Sequence, residues 1–339
     1  MSGIWEGRID TNMTLEKGEL LKYIDAPLLT RPEKPLAGNS ALITGATRHN
    51  GIGAAMAERF ALEGVSPLIL TGTTKSQDIA PVVKERLEKY GSEVHLLVGD
   101  VTDKDSCLEM VQRAYVICGG NVNILINNAG ITRDKAFTEV TVEDWDAVVR
   151  TKALGAFLMT QAWFQIRNEG SKPLLGGRVI HMGSIIGRYG NFGQEAYAMA
   201  NSSLVGLTKT QSLALGRWGI TVNMIAPGFV EGTDMTSQTT EEEMNGVKAV
   251  SALNRLVKTE DVAAAAVYLA GPDGESITGH ILTVDCGIQS NYTAARKMHQ
   301  AGFRQVPRAV LGFFGDLVAL PPDMIRNLRD QVRAHRGDN

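Results

Sequence analysis

Short apolar segments alternate with longer segments of helical periodicity along most of this 339-residue chain. Apolar residues in the longer segments recur at intervals of three and four positions, which predicts amphipathic helices. The short segments, such as 124–126, are apolar at nearly every position, as strands buried on both faces require. The predicted strands cover 40–44, 67–70, 94–98, 123–126, 177–182, 221–225 and 281–284, and the predicted helices cover 53–63, 79–90, a segment around 114–118, 143–164, 196–218 and 261–270.

Strands that alternate with helices predict an α/β fold in which helices cover both faces of a doubly wound parallel sheet. The pattern divides the chain into an N-terminal extension (1–38), the repeating α/β domain (39–290) and a C-terminal helical extension (291–339). Prolines disfavour a helix at the end of the first extension. It is expected to be an arm packed on the surface or on a neighbouring subunit, with a disordered tail as the alternative.

The C-terminal extension contains an apolar stretch, 309–320, and then an amphipathic helix with Met324, Ile325, Leu328 and Val332 on one side. Packing on the parent domain or contact with another subunit is favoured over a lid across the substrate. Binding to a membrane surface is a weaker third alternative.

Composition and charge exclude several classes of function. Apolar residues make up 44% of the chain and charged residues 21%, as in an ordinary globular domain. A net charge of -3 gives no bulk electrostatic basis for binding nucleic acid or an anionic membrane. The three cysteines have no metal-ligand spacing, so no metal site is expected. No apolar run approaches the ~20 residues of a membrane span, and the first residues are not a secretory signal. A cytoplasmic protein is therefore expected.

A strand, a glycine-rich turn and a helix follow one another between residues 40 and 63. This arrangement binds the pyrophosphate of a dinucleotide, because glycine lets the backbone approach the phosphates and the helix N-terminus supplies N–H groups. The turn runs from Thr44 to Gly53 and reads TGATRHNGIG. Glycines alone are a weak signal, but the strand before them and the helix after them make the signal specific.

Further motifs follow in an order and spacing that resembles the short-chain dehydrogenase/reductase family over about residues 36–290. The turn resembles the family's glycine motif with His49 and Asn50 inserted, and Asn-Asn-Ala-Gly follows the fourth predicted strand at 127–130. The resemblance implies a Rossmann-type fold and a nicotinamide coenzyme, with Asp100 near the adenine and 227–230 near the nicotinamide amide. The coenzyme-binding residues expected on this basis are Gly45, Thr47, Arg48, Gly51, Ile52, Gly53, Asp100, Val101, Asn128, Ala129, Gly130, Tyr197, Asn201, Pro227, Gly228, Val230 and Thr233.

Charge near the second predicted strand indicates which coenzyme is bound. An acidic residue there would hold the ribose 2′-hydroxyl and repel a 2′-phosphate, but residues 70–75 contain hydroxyl groups and Lys75 instead. Arg48 stands where NADP-preferring relatives carry an arginine, and a guanidinium can hold a phosphate with two hydrogen bonds. NADP(H) is therefore expected in preference to NAD(H), which remains possible. The alternative is that the insertion turns Arg48 toward solvent.

Ser184 and Tyr197 resemble two residues of the family's reaction centre, at the expected interval of thirteen positions. In the family the serine orients a carbonyl oxygen and the tyrosine transfers a proton. A lysine four residues after the tyrosine lowers the tyrosine pKa and binds the nicotinamide ribose, and a helix asparagine supports a water relay. The resemblance therefore implies an NADP(H)-dependent oxidoreductase that interconverts a carbonyl and a secondary alcohol.

At the last two positions of this centre, the lysine and the asparagine are exchanged. Asn201 stands at the position of the lysine, and Lys152 stands at the position of the asparagine. An unperturbed tyrosine has a pKa near ~10 that a nearby ammonium lowers, and general acid–base catalysis is typically worth ~10²–10⁴-fold. If Lys152 projects toward Tyr197, the cation is restored from a neighbouring helix and Asn201 can bind ribose. If Lys152 turns outward, activity is lost.

Two main hypotheses follow. In the favoured one the exchange compensates, and Ser184, Tyr197, Lys152 and Asn201 form a working site. In the alternative the chain is a catalytically impaired homologue that serves as a structural or regulatory subunit beside an active partner. A dehydration or elimination reaction on the same scaffold is a weaker third hypothesis.

Residues 177–197 resemble relatives that act on 3-oxoacyl or 3-hydroxyacyl thioesters, so a small carbonyl or acyl-thioester substrate is expected. The polar segment 229–256 is expected to cover the substrate as a mobile lid, and it has one residue more than the usual spacing before Thr233. His181 and His280 are interpreted as strand residues, and Cys286 stands where glycine is usual. The resemblance implies a homo-oligomer, a tetramer or dimer, with a hetero-oligomer as the alternative.

Overall fold

A seven-stranded parallel sheet runs through the part of the chain that the computed structural model describes, residues 33–76, 80–169, 175–237 and 239–288. Its strand order is β3-β2-β1-β4-β5-β6-β7, and every neighbouring pair is parallel. This order is that of a doubly wound sheet, which confirms the predicted fold class. The strands are β1 (Ala41–Ile43), β2 (Leu68–Gly72), β3 (Val94–Val98), β4 (Ile124–Asn127), β5 (Gly177–Met182), β6 (Ile220–Pro227) and β7 (Ile281–Val284).

The helices lie between these strands, and most begin and end within a few residues of the predicted bounds. They are α1 (Ile52–Leu62), α2 (Ala80–Glu88), α3 (Lys104–Ile117), α4 (Val142–Val149), α5 (Gly155–Asn168), α6 (Ile186–Tyr189), α7 (Glu195–Leu215), α8 (Glu241–Val250) and α9 (Thr259–Ala270). The continuous helix expected over 143–164 is divided by a π-helical segment, Arg150–Leu154, between α4 and α5.

Helix α8 is not among the predicted elements, because its polar sequence has no clear apolar period. A capping box begins it: the Thr240 hydroxyl accepts from the Glu243 N–H at 3.2 Å, and the Glu243 carboxylate accepts from the Thr240 N–H at 2.8 Å. Three glutamates in the first turn also complement the positive end of the helix dipole. The segment expected to be a lid therefore contains a defined helix.

Adjacent residues of β1 point to opposite faces of the sheet and join different apolar clusters. Ile43 packs in the cluster that includes Phe60 of α1 and Ala266 of α9. Leu42 packs in the cluster that includes Met110 of α3 and Trp163 of α5. The sheet is thus covered on both faces, which explains why its strands are almost wholly apolar.

The described end of the N-terminal extension packs on this core. Leu36 is fully buried in the same cluster as Phe60, and its N–H donates to the Glu63 carbonyl at 3.0 Å. Residues 1–32 and the C-terminal extension, including its predicted helix, lie outside the described residues. No helix within the described ranges is long and apolar enough to cross a membrane.

Burial of Leu36 predicts that the core of the α/β domain extends to residues before position 39. Leu36→Ala is expected to lower the free energy of unfolding by about 2–5 kcal/mol, because a buried leucine is replaced by a cavity. Leu62→Ala, at a position 47% exposed, is the control and is expected to cost much less. Urea unfolding followed by circular dichroism measures both, and equal losses would contradict the prediction.

Candidate active site

A cleft of about 1120 Å³ opens at the carboxyl ends of the strands. Its walls come mainly from the segments that follow the seven strands. In a doubly wound sheet, ligands bind at this edge, where the strand order reverses. Here the reversal lies between β1 and β4.

Most of the residues expected to form the site line this cleft. All the expected coenzyme-binding residues do so except Asn201, and Ser184 lines it as well. Neither Lys152 nor Asn201 is part of the cleft wall. The functional roles assigned to all these residues from the sequence remain predictions.

The glycine turn is held to the end of β4 by one hydroxyl group and one amide. The Thr44 hydroxyl accepts from the backbone N–H groups of Asn128 and Ala129, both at 3.0 Å. In return, the Asn128 side chain donates to the carbonyls of Thr44 at 2.9 Å and Gly45 at 3.0 Å. These bonds fix the two motifs relative to each other.

Close packing explains two of the glycines. Gly45 has a φ of +63°, and a Cβ there would lie 2.9 Å from the Cα of Ala129. A Cβ at Gly53 would lie 2.7 Å from the Asn128 amide nitrogen. Helix α1 begins at Ile52, directly after Gly51, with no side-chain cap and no acidic residue in its first turn. Its positive end therefore lies at the cleft wall without an acidic side chain in its own first turn, as suits an anion-binding site.

Basic and hydroxyl side chains surround the end of the cleft near β2. Thr74, Lys75 and Arg48 line it, and no carboxylate follows β2 before Lys75. The Arg48 side chain is 60% exposed, and its Nη1 pairs with Asp234 at 2.5 Å. Arg48 thus lies at the cleft, although it is partly exposed to solvent as the alternative interpretation supposed.

Ser184 and Tyr197 lie at the other end of the cleft. Ser184 follows β5 and is 9% exposed, and its hydroxyl accepts from the Ile186 N–H at 3.2 Å. Tyr197 is in the first turns of α7 and packs against Val148 and Ala200. The Tyr197 hydroxyl is 4.0 Å from the Met235 sulfur, so the segment after β6 reaches the phenol.

Burial raises the pKa of the Tyr197 phenol above its usual 10. The neighbouring Ser184 side chain acts against this increase, the Asp134 charge adds to it, and the Asn201 side chain opposes it. The net direction is upward, so the phenol is protonated at neutral pH. Lys152 is not among the groups that lower this pKa.

Lys152 is in the π-helical segment, and its side chain is buried with 6% exposure. A Cβ on Gly130 would lie 2.9 Å from the Lys152 amine, so the amine lies directly against the end of the Asn-Asn-Ala-Gly motif. A π-helical turn shifts the register of a helix by one residue and is frequent at functional sites. It places Lys152 inside the protein instead of in solvent.

The Lys152 amine has no ion pair or hydrogen bond among the described residues, and burial lowers its pKa to about 8. Because this value is below the pKa of Tyr197, the amine loses its proton before the phenol does. In this state the two groups do not form an ammonium–phenolate pair.

His181 of β5 lies next to this amine and is fully buried. Burial lowers its pKa to about 4, with a smaller contribution from the charge of Lys152. Its two ring nitrogens lie 3.2 Å from the Asn127 amide and 2.9 Å from the Gln211 side-chain oxygen. A neutral ring that accepts from Asn127 and donates to Gln211 satisfies both contacts. His181 is a strand residue, as its sequence context indicated.

Asn201 is fully buried behind the cleft wall. Its amide donates to the backbone carbonyl of Tyr197 at 2.8 Å, and its side-chain oxygen is buried without a partner among the described residues. Gly187 packs on it so closely that a Cβ there would lie 2.6 Å from the Asn201 carbonyl carbon. The predicted contact of Asn201 with ribose would therefore require a movement of the surrounding chain.

Sequence reasoning missed a set of polar residues at the end of the cleft where Ser184 and Tyr197 lie, which is called the reaction end below. Asp134 lines it, accepts from the Gln194 amide at 2.8 Å, and has a pKa raised mainly by burial. Gln194 also accepts from Asn191 at 3.0 Å. The sequence signal that could have identified Asp134 is its acidic side chain four positions after the Asn-Asn-Ala-Gly motif. Within the described ranges, no cluster of His, Cys, Asp or Glu could hold a metal ion.

Comparison with known proteins gives matches over this same region. A family profile described as enoyl-(acyl carrier protein) reductase matches residues 45–289. The 3-oxoacyl-[acyl-carrier-protein] reductase of Vibrio cholerae is 36% identical over 253 residues, which is 75% of this chain and 98% of that protein. The enzyme of the same name from Escherichia coli is 35% identical over 251 residues, 74% of this chain and 97% of that protein.

Solved structures agree with these sequence matches. A blue fluorescent protein from a metagenomic library, in complex with NADPH, is 34% identical and superposes with a TM-score of 0.67 over 75% of this chain and 99% of that one. A short-chain dehydrogenase from Burkholderia cenocepacia, in complex with NADP, is 31% identical with a TM-score of 0.68 over the same shares, 75% and 99%.

Burial of Lys152 without a partner predicts that Lys152→Met stabilises the protein at pH 7. A pKa of about 8 against an ordinary 10.5 corresponds to on the order of 3 kcal/mol. The unfolded lysine binds its proton more tightly, so wild-type stability should increase as the pH rises from about 8 toward about 10. The advantage of the variant should shrink over the same interval.

Urea unfolding at several pH values measures this difference. Lys209→Met, which removes an exposed lysine from α7, is the matched control and should leave the pH dependence unchanged. A lower stability of Lys152→Met at pH 7 would show that the ammonium is stabilised by its surroundings, contrary to the prediction.

Proposed function

The chain belongs to the short-chain dehydrogenase/reductase family, and from that premise we propose that it is an NADP(H)-dependent oxidoreductase that interconverts a carbonyl group and a secondary alcohol. The observation that carries this proposal is the position of Ser184 and Tyr197. Both line the cleft that the glycine turn and the uncapped end of α1 also line. A hydrogen-bond donor and a proton donor thus face the site expected for the nicotinamide.

The residues of the cleft fit a phosphorylated dinucleotide. Glycine backbone and the open helix end suit the pyrophosphate, and Arg48 and Lys75 offer positive charge for a 2′-phosphate. NADPH and NADP are the coenzymes bound in the two related structures, which supports NADP(H) for this chain. NAD(H) is the less favoured coenzyme, because no carboxylate stands between the end of β2 and Lys75 to hold a ribose 2′-hydroxyl.

The reduced coenzyme, when bound, supplies a hydride to the substrate. The Ser184 hydroxyl orients the substrate carbonyl by a hydrogen bond to its oxygen. The Tyr197 phenol donates the proton that this oxygen needs as the hydride reaches the carbon. A raised pKa keeps the phenol protonated at neutral pH, which is the form that a reduction uses.

Lys152 is proposed to supply the positive charge that the family places four residues after the tyrosine. Its buried amine, against Gly130, lies immediately behind the cleft wall. Below pH 8 the amine is protonated and can stabilise negative charge that develops on the phenol. Turnover that depends on this charge should fall as the pH rises through about 8.

The proposed substrate is a 3-oxoacyl or 3-hydroxyacyl thioester. The curated relatives are named 3-oxoacyl-[acyl-carrier-protein] reductases, which supports this class. Apolar side chains at the reaction end of the cleft suit an acyl chain, and they include Ile131, Ile185, Ile186, Phe229, Met235 and Ile288. A different small carbonyl compound is the alternative.

A homo-oligomer is proposed for the assembled protein. Large apolar side chains are exposed on the helices that flank the π-helical segment and on α7: Val142, Phe157 and Leu213. Contact between copies of these helices would remove this apolar surface from water. A hetero-oligomer with an active homologue is the alternative assembly.

The impaired-subunit hypothesis has one observation in its favour. The raised pKa of Tyr197 and the buried, unpaired amine of Lys152 describe a site in which the cation does not activate the phenol. The retained glycine turn, Ser184 and Tyr197 favour the enzyme instead. Coenzyme binding without turnover would be the mark of an impaired subunit.

Exchanging the two residues back tests the proposed roles. Lys152→Asn alone is expected to lower the turnover of a 3-oxoacyl thioester about 10²–10⁴-fold, because the cation is lost. The double variant Lys152→Asn/Asn201→Lys restores the family's arrangement and is expected to recover most of this loss. NADPH binding, measured by nicotinamide fluorescence, should persist in every variant. Steady-state kinetics with NADPH measure turnover.

Control variants separate catalysis from folding. Tyr197→Phe removes only the proton donor and should abolish turnover, and Lys104→Ala removes an exposed lysine and should have no effect. If Lys152→Asn turns over normally, the cation role is wrong. If the wild type binds NADPH without turnover on a broad carbonyl panel and the double variant gains it, the impaired-subunit hypothesis is the better one.

A further inference from the structure

We propose that Asp234 sets the coenzyme selectivity of this protein, because it competes with the coenzyme's 2′-phosphate for Arg48. The proposal rests on the NADP(H) site proposed above. It concerns the two places where the chain departs from the family's spacing. His49 and Asn50 are inserted in the glycine turn, and one extra residue precedes Thr233 in the segment after β6. In the structure these two departures are in contact.

Asp234 accepts hydrogen bonds from the residue before the insertion and from one of the inserted residues. The Arg48 Nη1 donates to Asp234 Oδ2 at 2.5 Å, and the Asn50 amide donates to Asp234 Oδ1 at 2.7 Å. Both carboxylate oxygens are therefore occupied by the glycine turn. These same bonds hold the pKa of Asp234 below its usual range, so it is an anion at neutral pH.

The pair lies where the coenzyme is expected. Arg48, Thr233 and Asp234 all line the cleft, together with Lys75 from the end of β2. Arg48 is the arginine expected to hold the 2′-phosphate, and Thr233 is expected to contact the coenzyme from the opposite wall. A carboxylate bound to Arg48 thus occupies the charge that the phosphate would use.

The strengths of the two interactions decide the competition. Arg48 and Asp234 are 60% and 44% exposed and meet through a single N–H group of the guanidinium. Such exposed pairs are weak. A phosphate group carries about two negative charges at neutral pH and can bind the guanidinium through two parallel hydrogen bonds. The phosphate should therefore displace Asp234 from Arg48. Its net binding free energy is smaller because the Arg48–Asp234 ion pair is broken.

This exchange has a consequence beyond affinity. Asp234 begins the turn Asp234–Thr236, which contains Met235, the residue that contacts the Tyr197 hydroxyl. Displacement of Asp234 releases the substrate-side segment from the glycine turn. NADPH carries the 2′-phosphate and should break the contact, whereas NADH lacks it and should leave the contact intact. Coenzyme identity is thereby linked to the wall of the substrate site.

Asp234→Asn tests the competition, because it removes the charge and retains the side-chain shape. The variant is expected to bind NADPH about two- to fivefold more tightly, in keeping with an exposed ion pair, and to bind NADH as the wild type does. Its NADPH affinity should also decrease more steeply with salt, because a phosphate–arginine pair forms without the loss of another pair. Fluorescence titrations with each coenzyme at several salt concentrations measure both effects.

Two further variants exclude a general charge effect. Glu231→Gln removes the same charge from the same segment without a bond to Arg48, and it should leave the ratio of NADPH to NADH affinity unchanged. In an Arg48→Ala background, Asp234→Asn should have no further effect on NADPH binding, because the shared partner is gone.

The outcomes separate this proposal from the proposed function. If the wild type binds neither coenzyme, the oxidoreductase proposal fails and the competition fails with it. If the wild type binds NADPH but Asp234→Asn leaves the ratio unchanged or weakens NADPH binding, only the competition is overturned. A steeper salt dependence with a raised ratio supports it.

Discussion

The reaction proposed for this cleft depends on one unpaired ammonium group, that of Lys152. It is buried against Gly130, and within the described ranges no carboxylate neutralises it. Taking a charge out of water without a partner costs free energy. The protein therefore retains at this position a residue that lowers the stability of its fold. The π-helical segment directs that residue inward. Such opposition between stability and local charge is characteristic of functional sites.

The protonation states of Tyr197 and Lys152 at neutral pH follow from their surroundings. Burial and the charge of Asp134 keep the phenol protonated, and below pH 8 the Lys152 amine is protonated as well. A site with both protons in place is ready to give one to a carbonyl oxygen, whereas oxidation of an alcohol would need the phenolate first. With both groups protonated at neutral pH, the coenzyme-free site holds the proton that a carbonyl oxygen would accept in the proposed reduction.

The sequence predicted those features that repeat along the chain or that depend on short-range steric rules. Strand apolarity predicted the sheet, whereas the close packing of the glycine turn on Asn128 was not predicted. The sequence did not predict the division of the long helix, because the π-helical turn depends on distant packing: a Cβ on Gly155 would lie 2.8 Å from the Val101 side chain. Likewise, the burial of Asn201 is set by the backbone at Gly187, and Cys286 has a φ of +54°, which explains why the family prefers glycine there.

The topology of the sheet is the reason that two small insertions, far apart along the chain, can act together. Arg48 and Asp234 are separated by 186 positions, yet both follow strands whose carboxyl ends meet at the same edge of the sheet. An insertion at this edge does not disturb the apolar core, because it lengthens a loop and leaves the strand register unchanged. It changes only what the loop can reach. Two such insertions on opposite walls can therefore create a contact across the cleft, so the proposed coenzyme selectivity can change while the fold and the positions of Ser184 and Tyr197 stay the same.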